Sequence, residues 1–271
     1  MKPGKCLLYI VLLLGALISA YPFLWMVGAA FKTLPEATSA GLNPFPEQWQ
    51  WRNVPETFRA APFGRYFLNS FLVAGIVCAS VCVTALMAGY AFARLRFRGR
   101  NLLFAVTLGS MMVPFEVVFI PNFVLITRLG WYNSFPALIA PWCANAFSIF
   151  LIRQAFMSLP PDFHDAAVMD GCGHLRFLTR IGAPLVKPML VTVALFAFLG
   201  SYNALLWPLI VTADDARRVV QVGLTAFYSD AGMRLHLLMC ASTVVILPTV
   251  LLYFLAQRHF VESALNTGIK G

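Results

Sequence analysis

Apolar residues in this chain come in long unbroken runs, and short polar segments between the runs hold nearly all of the charge. A helix needs about 20 predominantly apolar residues to cross the hydrocarbon core of a bilayer. Six runs read as such spans: Cys6–Ala30, Phe67–Ala93, Leu102–Thr127, Phe135–Ile152, Met189–Val211 and Leu237–Ala256. Each is continuously apolar, whereas a transmembrane barrel strand would alternate over about 10 residues. The pattern therefore predicts helices and excludes strands. Pro114 and Pro121 predict a break in the third run, and the fourth is short.

Composition turns these runs into a fold class. Hydrophobic residues make up 60% of the chain, charged residues 11%, and the mean hydropathy is +0.77. A soluble domain is roughly 25% charged, because its surface has to be covered with groups that face water. That surface is missing here, so lipid is the solvent for much of the chain. The expectation is an all-α polytopic membrane protein with a single transmembrane domain over residues 1–271. It comprises an N-terminal helix (1–31), an external loop (32–66), a core (67–257) that includes a polar loop (153–188), and a tail (258–271). Lys2 and Lys5 before the first run also fit a cleaved signal peptide, with Ile18-Ser19-Ala20 as a weak cleavage site. A signal h-region is only about 7–15 residues long, however, and this run continues through Trp25 to Ala30, which favours a retained helix.

The basic residues give a direction. With the N-terminus inside, 12 of the 20 Lys and Arg residues fall on the inner side and eight on the outer. Arg94, Arg96, Arg98 and Arg100 decide most of this bias, since they share one short loop. Both termini are then expected in the cytoplasm. The net charge of +9 is explained by topology and by contact with anionic membrane lipid. Nucleic acid is not an expected partner, because no basic stripe with interleaved aromatics appears.

Few residues suggest covalent chemistry. His164, His174, His236 and His259 are scattered, with no second ligand or nucleophile at a recognisable spacing, and no metal site is expected. There is no Gly-x-x-x-x-Gly-Lys-Ser/Thr loop for ATP, no Gly-x-Ser-x-Gly elbow and no His-Glu-x-x-His. Cys6, Cys78, Cys82, Cys143 and Cys240 fall within spans and only Cys172 in a loop, so a disulfide framework is not expected. Glu116 is the one ionisable residue inside a span. A carboxylate in hydrocarbon costs several kcal/mol unless paired or hydrated, so Glu116, with Asn122 nearby, marks a candidate pathway. The alternative is that Glu116 lies near the outer mouth and snorkels or pairs with Arg128. In Lys32–Tyr66 the prolines and aromatics exclude a long regular helix. Its Trp49 and Trp51 suit either an interfacial belt or a platform for an external partner.

The segment Arg153–Lys187 is the most informative. Pro160 and Pro161 suit a helix start and Asp162 the positive end of the helix dipole. Phe163, Ala166, Ala167 and Asp170 recur at helical spacing, and Gly171 and Gly173 allow the left-handed conformation that stops a helix. A second apolar face follows in Leu175, Leu178, Ile181 and Leu185, ended by Pro184. A simple connection would not need about 35 residues, nor an apolar face beside small alanines. A helix lying on anionic lipid would carry Lys or Arg along its apolar face, whereas this one carries Asp162, Asp165 and Asp170. Docking on a cytoplasmic protein is the better reading.

Asp165-Ala166-Ala167, Gly171, Ile181 and Pro184 resemble the EAA loop of binding-protein-dependent ABC importer permeases. That motif reads Glu-Ala-Ala, three residues, Gly, nine residues, Ile, any residue, Leu-Pro. The spacing matches throughout; Asp165 replaces Glu and Ala183 replaces Leu. Nearly the whole chain is similar to the MalG-like carbohydrate-uptake branch. The resemblance extends over Asn69-Ser70, Ala88 to Phe97, Phe150 to Gln154, Leu206-Trp207-Pro208 and the run from Gln257 to Gly271. Where relatives often show Trp-Asn-Asp/Glu, this chain has Tyr202-Asn203-Ala204.

The resemblance implies a type I ABC importer permease fold and a non-catalytic subunit forming half of a translocation pathway for a sugar or related solute. Its implied partners are a second homologous permease subunit, a cytoplasmic ABC ATPase dimer holding ATP and Mg, and an extracytoplasmic solute-binding protein. No cofactor is expected on this chain. Asp165, Ala166, Ala167, Asp170, Gly171, Ile181 and Pro184 would couple to the ATPase; Glu116, Asn122 and Asn203 are the candidate pathway residues. The alternative, a secondary transporter or channel working without ATP, would call for inverted repeats and several midplane charges, which the chain lacks. An intramembrane enzyme would need a paired nucleophile and base, which is also absent.

Overall fold

A computed structural model describes residues 3–39, 41–229 and 232–268. Its main helices are α1 (Pro3–Ala29), α2 (Phe63–Arg94), α3 (Arg100–Ser110), α4 (Phe115–Arg128) and α5 (Phe135–Trp142). There follow α6 (Ala146–Ser158), α7 (Asp162–Met169), α8 (His174–Leu185), α9 (Lys187–Tyr202) and α10 (Leu235–Gly268). Lys2, Lys270 and the end of the tail, residues 269–271, lie outside the described residues. The chain divides into two compact units, Met1–Gly64 with Val220–Pro248 and Arg65–Val219 with Thr249–Gly271.

In the first unit, the apolar part of α1, Leu7–Ala29, is 23 residues long. At 1.5 Å per residue it spans about 35 Å, enough to cross a bilayer. Most of its apolar side chains, Leu7 to Leu24 among them, are exposed. A helix can do this only where the solvent is lipid, since its backbone bonds are satisfied internally. The following loop forms two short helices, Leu34–Thr38 and Asn53–Ala60, in keeping with the expectation of no long regular helix there. The Asn53 side-chain amide donates to the Ala30 and Lys32 carbonyls, each at 2.9 Å. Buried Lys32 donates from Nζ to the Asn43 carbonyl at 2.6 Å. Trp49 and Trp51 stack at 5.8 Å, Phe31 packs on both, and Trp51 remains largely exposed.

Six crossings result if each bent pair of helices counts as one span, with α1, α2 and Leu235–Leu255 of α10 uninterrupted. The third span is more sharply broken than its prolines suggested. α3 and α4 meet at 96°, with Pro114 extended (ψ 143°) at the start of α4. Pro121 makes no second break and sits inside α4, where it deletes a single backbone bond. The fourth span bends by 42° between α5 and α6. It continues to Ser158 rather than stopping at Ile152, so Arg153 belongs to a helix and not to a loop. The fifth, Met189–Val211, is not one helix. α9 stops at Tyr202 and a short helix restarts at Leu206–Val211. Pro208 favours this break: its ring clashes with the carbonyl four residues back, that of Ala204, which kinks or ends a helix.

Residues 213–218 are tied down by other side chains of the second unit. Tyr66 Oη donates to Asp215 Oδ1 at 2.6 Å, and the Asn69 amide donates to the Ala216 and Arg218 carbonyls at 3.1 and 2.8 Å. Asn133, left-handed at φ 57°, accepts from the Ala213 and Asp214 amides.

Candidate functional site

The segment Pro160–Val186 forms an elbow of two helices. Asp162 and Asp165 sit in the first turn of α7, where the positive end of the helix dipole favours negative charge. α7 ends as expected. Gly171 adopts φ 70°, its N–H donates to the Val168 carbonyl at 2.9 Å, and the Cys172 N–H donates to the Ala167 carbonyl at 2.9 Å. Gly173 differs from expectation. It is extended (φ −68°, ψ 158°) and opens α8, so only one left-handed residue makes the turn.

Pro184 does not end α8, which runs on to Leu185 before an 85° bend into α9. A wide turn over Leu178–Gly182, in which the Ala183 N–H reaches back to the Leu178 carbonyl, makes room for the proline ring that follows. The buried face of α8 is Phe177, Leu178 and Gly182 rather than Leu175 and Leu185. Leu175 is 70% exposed.

The outward face of α7 is the feature a packed connection would lack. Met169 is 89% exposed, Phe163 and Val168 about half, and Asp165, Ala166 and Asp170 are also exposed. Phe163, Ala166, Ala167 and Asp170 border a shallow groove with Ile181 of α8 on its far wall. Ala166, Ala167, Asp170 and Ile181 thus come together, Asp165 stands beside them, and Gly171 forms the turn. Pro184 lies further along α8.

The inward face is fastened by residues that the sequence reading left scattered. Tyr90 of α2, 3% exposed, places its hydroxyl 2.9 Å from His174 Nδ1 and 3.3 Å from His164 Nε2. Phe156 and Phe177 pack around the Tyr90 ring, with centroids at 5.5 and 5.7 Å. One hydroxyl therefore joins both limbs of the elbow to a membrane-crossing helix. His164 and Asp165 approach to 3.7 Å. No three His, Cys, Asp or Glu side chains among the described residues are placed to hold a metal ion.

The neighbouring helix ends are closed by arginines. Arg94 Nη2 donates to the Phe156 and Leu159 carbonyls at 2.9 and 2.7 Å, capping the C-terminal end of α6 where a cation is favoured. Arg153 lies over the Phe104 ring at 4.0 Å. Gly89 lets α2 and α6 touch, since a Cβ there would sit 2.8 Å from Ile152 Cγ2 and 2.9 Å from the Arg153 nitrogen.

A second feature lies within the helices. α2, α5, α6, α9 and the turn before Pro208 line a partly open cavity of about 290 Å³. Val77, Val81, Trp142, Phe147, Phe196 and Trp207 form apolar walls, and Asn145, Ser148, Ser201 and Ala204 also line it. None of Glu116, Asn122 or Asn203 is among the lining residues. Glu116 is exposed on the first turn of α4. It forms no ion pair with Arg128, which is twelve residues further along the same helix, about 18 Å away. The breaks at Asn145 and Ala204, and not the charge at Glu116, locate the cavity.

The model of the family described as binding-protein-dependent transport system inner membrane component matches residues 62–264. The probable ABC transporter permease protein YurM of Bacillus subtilis is 30% identical over 273 residues, which covers 99% of this chain and 89% of that protein. The diacetylchitobiose uptake system permease protein NgcG of Streptomyces coelicolor is 31% identical, covering 93% and 85%. The sn-glycerol-3-phosphate transport system permease protein UgpE of Yersinia pestis is 30% identical, covering 96% and 95%. Among solved structures, a chain of a bacterial ABC transporter that imports the acidic polysaccharide alginate superposes with a TM-score of 0.83 over 96% of this chain and 99% of that one. At 21% identity, that match supports the fold alone.

Proposed function

The chain belongs to the binding-protein-dependent transport system inner membrane component family, and we propose that it works by passing ATPase movement through the α7–α8 elbow to the helices around the cavity. It is a multi-pass inner-membrane permease subunit of an ABC importer and carries out no covalent chemistry itself. The proposed solute is a sugar or a related compound, handed over by an extracytoplasmic binding protein. A second homologous permease subunit supplies the other half of the pathway. A cytoplasmic ATPase dimer holds ATP and Mg. Both termini lie on the cytoplasmic side, in line with the bias of basic residues.

One observation carries the coupling reading. α7 presents Phe163, Ala166 and Met169 outward, while its other face is fastened through His164 to Tyr90 on α2. A push on the outward face is thereby delivered to a helix that crosses the membrane. Asp165 is placed for a basic partner, because its carboxylate is 75% exposed and among the described residues meets only His164. Gly171 sets the elbow angle.

The test is ATP-dependent uptake by the complete importer in proteoliposomes. Asp165→Lys reverses the charge, and Gly171→Pro forces a φ near −65° on a residue that stands at 70°. Both variants are expected to insert and to abolish uptake while ATP hydrolysis continues uncoupled. Normal uptake in both would overturn the docking role of the elbow.

A further inference from the structure

The cavity inside the second unit has a composition that restricts what can pass it. No ionisable side chain is among its lining residues. An anionic solute there would lose its hydration at membrane depth with no cation to replace it, which is strongly unfavourable. What the walls offer instead is aromatic surface, from Trp142, Phe147 and Phe196, and a few fixed polar groups. At about 30 Å³ per water, 290 Å³ corresponds to roughly ten waters, room for one sugar ring with some water around it.

Asn145 is the polar group whose orientation is settled. It caps α6, and its Oδ1 accepts from the Ser148 N–H at 2.9 Å and from the Ser148 hydroxyl at 3.1 Å. A backbone N–H has to meet an oxygen, so the amide cannot be flipped. The side-chain NH2 is left with two donors that bond to nothing among the described residues, and the residue is exposed at the cavity. Ser201 adds a hydroxyl on the opposite helix, and Ala204 keeps the wall small and uncharged. Broken backbone at membrane depth belongs where it lines such a space.

We propose that this cavity is a binding subsite for one ring of an uncharged carbohydrate, with the Asn145 amide donating to a ring hydroxyl and the aromatic walls taking the C–H faces. The proposal deepens the permease reading and rests on it. It assigns this subunit its own contact with the solute and selects neutral sugars over sugar acids and sugar phosphates. A longer oligosaccharide would pass ring by ring.

The test is direct binding, which needs no ATP turnover and so fails or succeeds separately from the uptake assay above. The assembled permease pair with its ATPases, without binding protein, is placed in nanodiscs. Saturation-transfer NMR is recorded with methyl glucoside, methyl arabinoside and N-acetylglucosamine as neutral probes, and with glucuronate and sn-glycerol 3-phosphate as anionic ones. At least one neutral probe is expected to bind at least about ten-fold more tightly than either anion. Asn145→Ser keeps the cap, since serine is an equally good N-cap, but removes the amide donors; it is expected to weaken that binding about ten-fold. Ala204→Trp fills the cavity and is expected to abolish it, and size-exclusion chromatography verifies assembly of both variants. Binding of an anion as tight as that of any neutral probe would overturn the proposal. So would unchanged affinity in correctly assembled Asn145→Ser, or the absence of binding by every neutral probe, the result expected if lipid or a partner side chain fills the space.

Discussion

Replacing Tyr90 with phenylalanine removes one oxygen and leaves the ring and its contacts with Phe156 and Phe177 in place. A phenol hydroxyl has one proton and lone pairs to accept, so Tyr90 donates to one histidine and accepts from the other. The 2.9 Å contact to His174 is the stronger and the 3.3 Å contact to His164 the weaker. A hydrogen bond of this kind contributes about 0.5–1.5 kcal/mol net, so the pair contributes roughly 1–2 kcal/mol to holding the elbow against α2. That shifts the balance between fastened and released elbow about 5–30-fold. Hydrogen exchange of the assembled importer in nanodiscs reads the shift directly. Amides in residues 162–186 are expected to exchange about 5–30-fold faster in Tyr90→Phe, while amides in the middle of α2 are unchanged. ATP-dependent uptake is expected to fall more than ATP hydrolysis. Unchanged exchange over 162–186 would refute the fastening role. An equal acceleration along the whole chain would refute it too, since that would mean general loss of stability.

Other perturbations follow from the same geometry. Arg94→Gln leaves the Phe156 and Leu159 carbonyls without their cation and is expected to cost about 2–3 kcal/mol, seen as a lower melting temperature in detergent; an unchanged melting curve would leave Arg94 with only a topological role. Gly28→Ala would put a methyl group 1.6 Å from the Pro44 carbonyl oxygen, so the backbone of the first unit has to move. A loss of 1–3 kcal/mol or more and reduced yield of folded protein are expected, and wild-type yield and stability would contradict that contact. Glu116→Gln is expected to leave uptake within about two-fold of wild type, because Glu116 is exposed on α4 and does not line the cavity.

The sequence revealed what depends on local rules. Run length gave the apolar spans, three of them unbroken helices, Pro114 the sharpest bend, and Gly171 the left-handed turn. Spacing picked out Phe163, Ala166, Ala167 and Asp170 as a helical repeat, and the resemblance to the EAA loop added Asp165. What stayed hidden depends on contacts between distant residues. Tyr90 is 74 and 84 positions from the two histidines it joins, and no periodicity links them. Arg94 was readable as a positive charge but not as a cap, because the carbonyls it closes belong to another helix. Pro208 could have signalled the break before Leu206, since the clash with Ala204 follows from proline geometry alone. Glu116 draws attention as a charge in an apolar run but does not line the cavity, which lies where backbone is broken at Asn145 and Ala204. Asn145 before an apolar helix is a readable cap, and with Pro208 it was an available pointer to the cavity.

In the proposed coupling the outward face of α7 docks on the ATPase. A photo-crosslinking amino acid at position 169, which is 89% exposed, tests it in membranes containing the whole importer. A control probe at Ile120, 70% exposed on α4, reports a comparably accessible position on another helix. Illumination is expected to join the chain covalently to its ATPase subunit from position 169 and not from position 120. A position-169 probe that labels only lipid, in a complex that still imports solute, would contradict the claim.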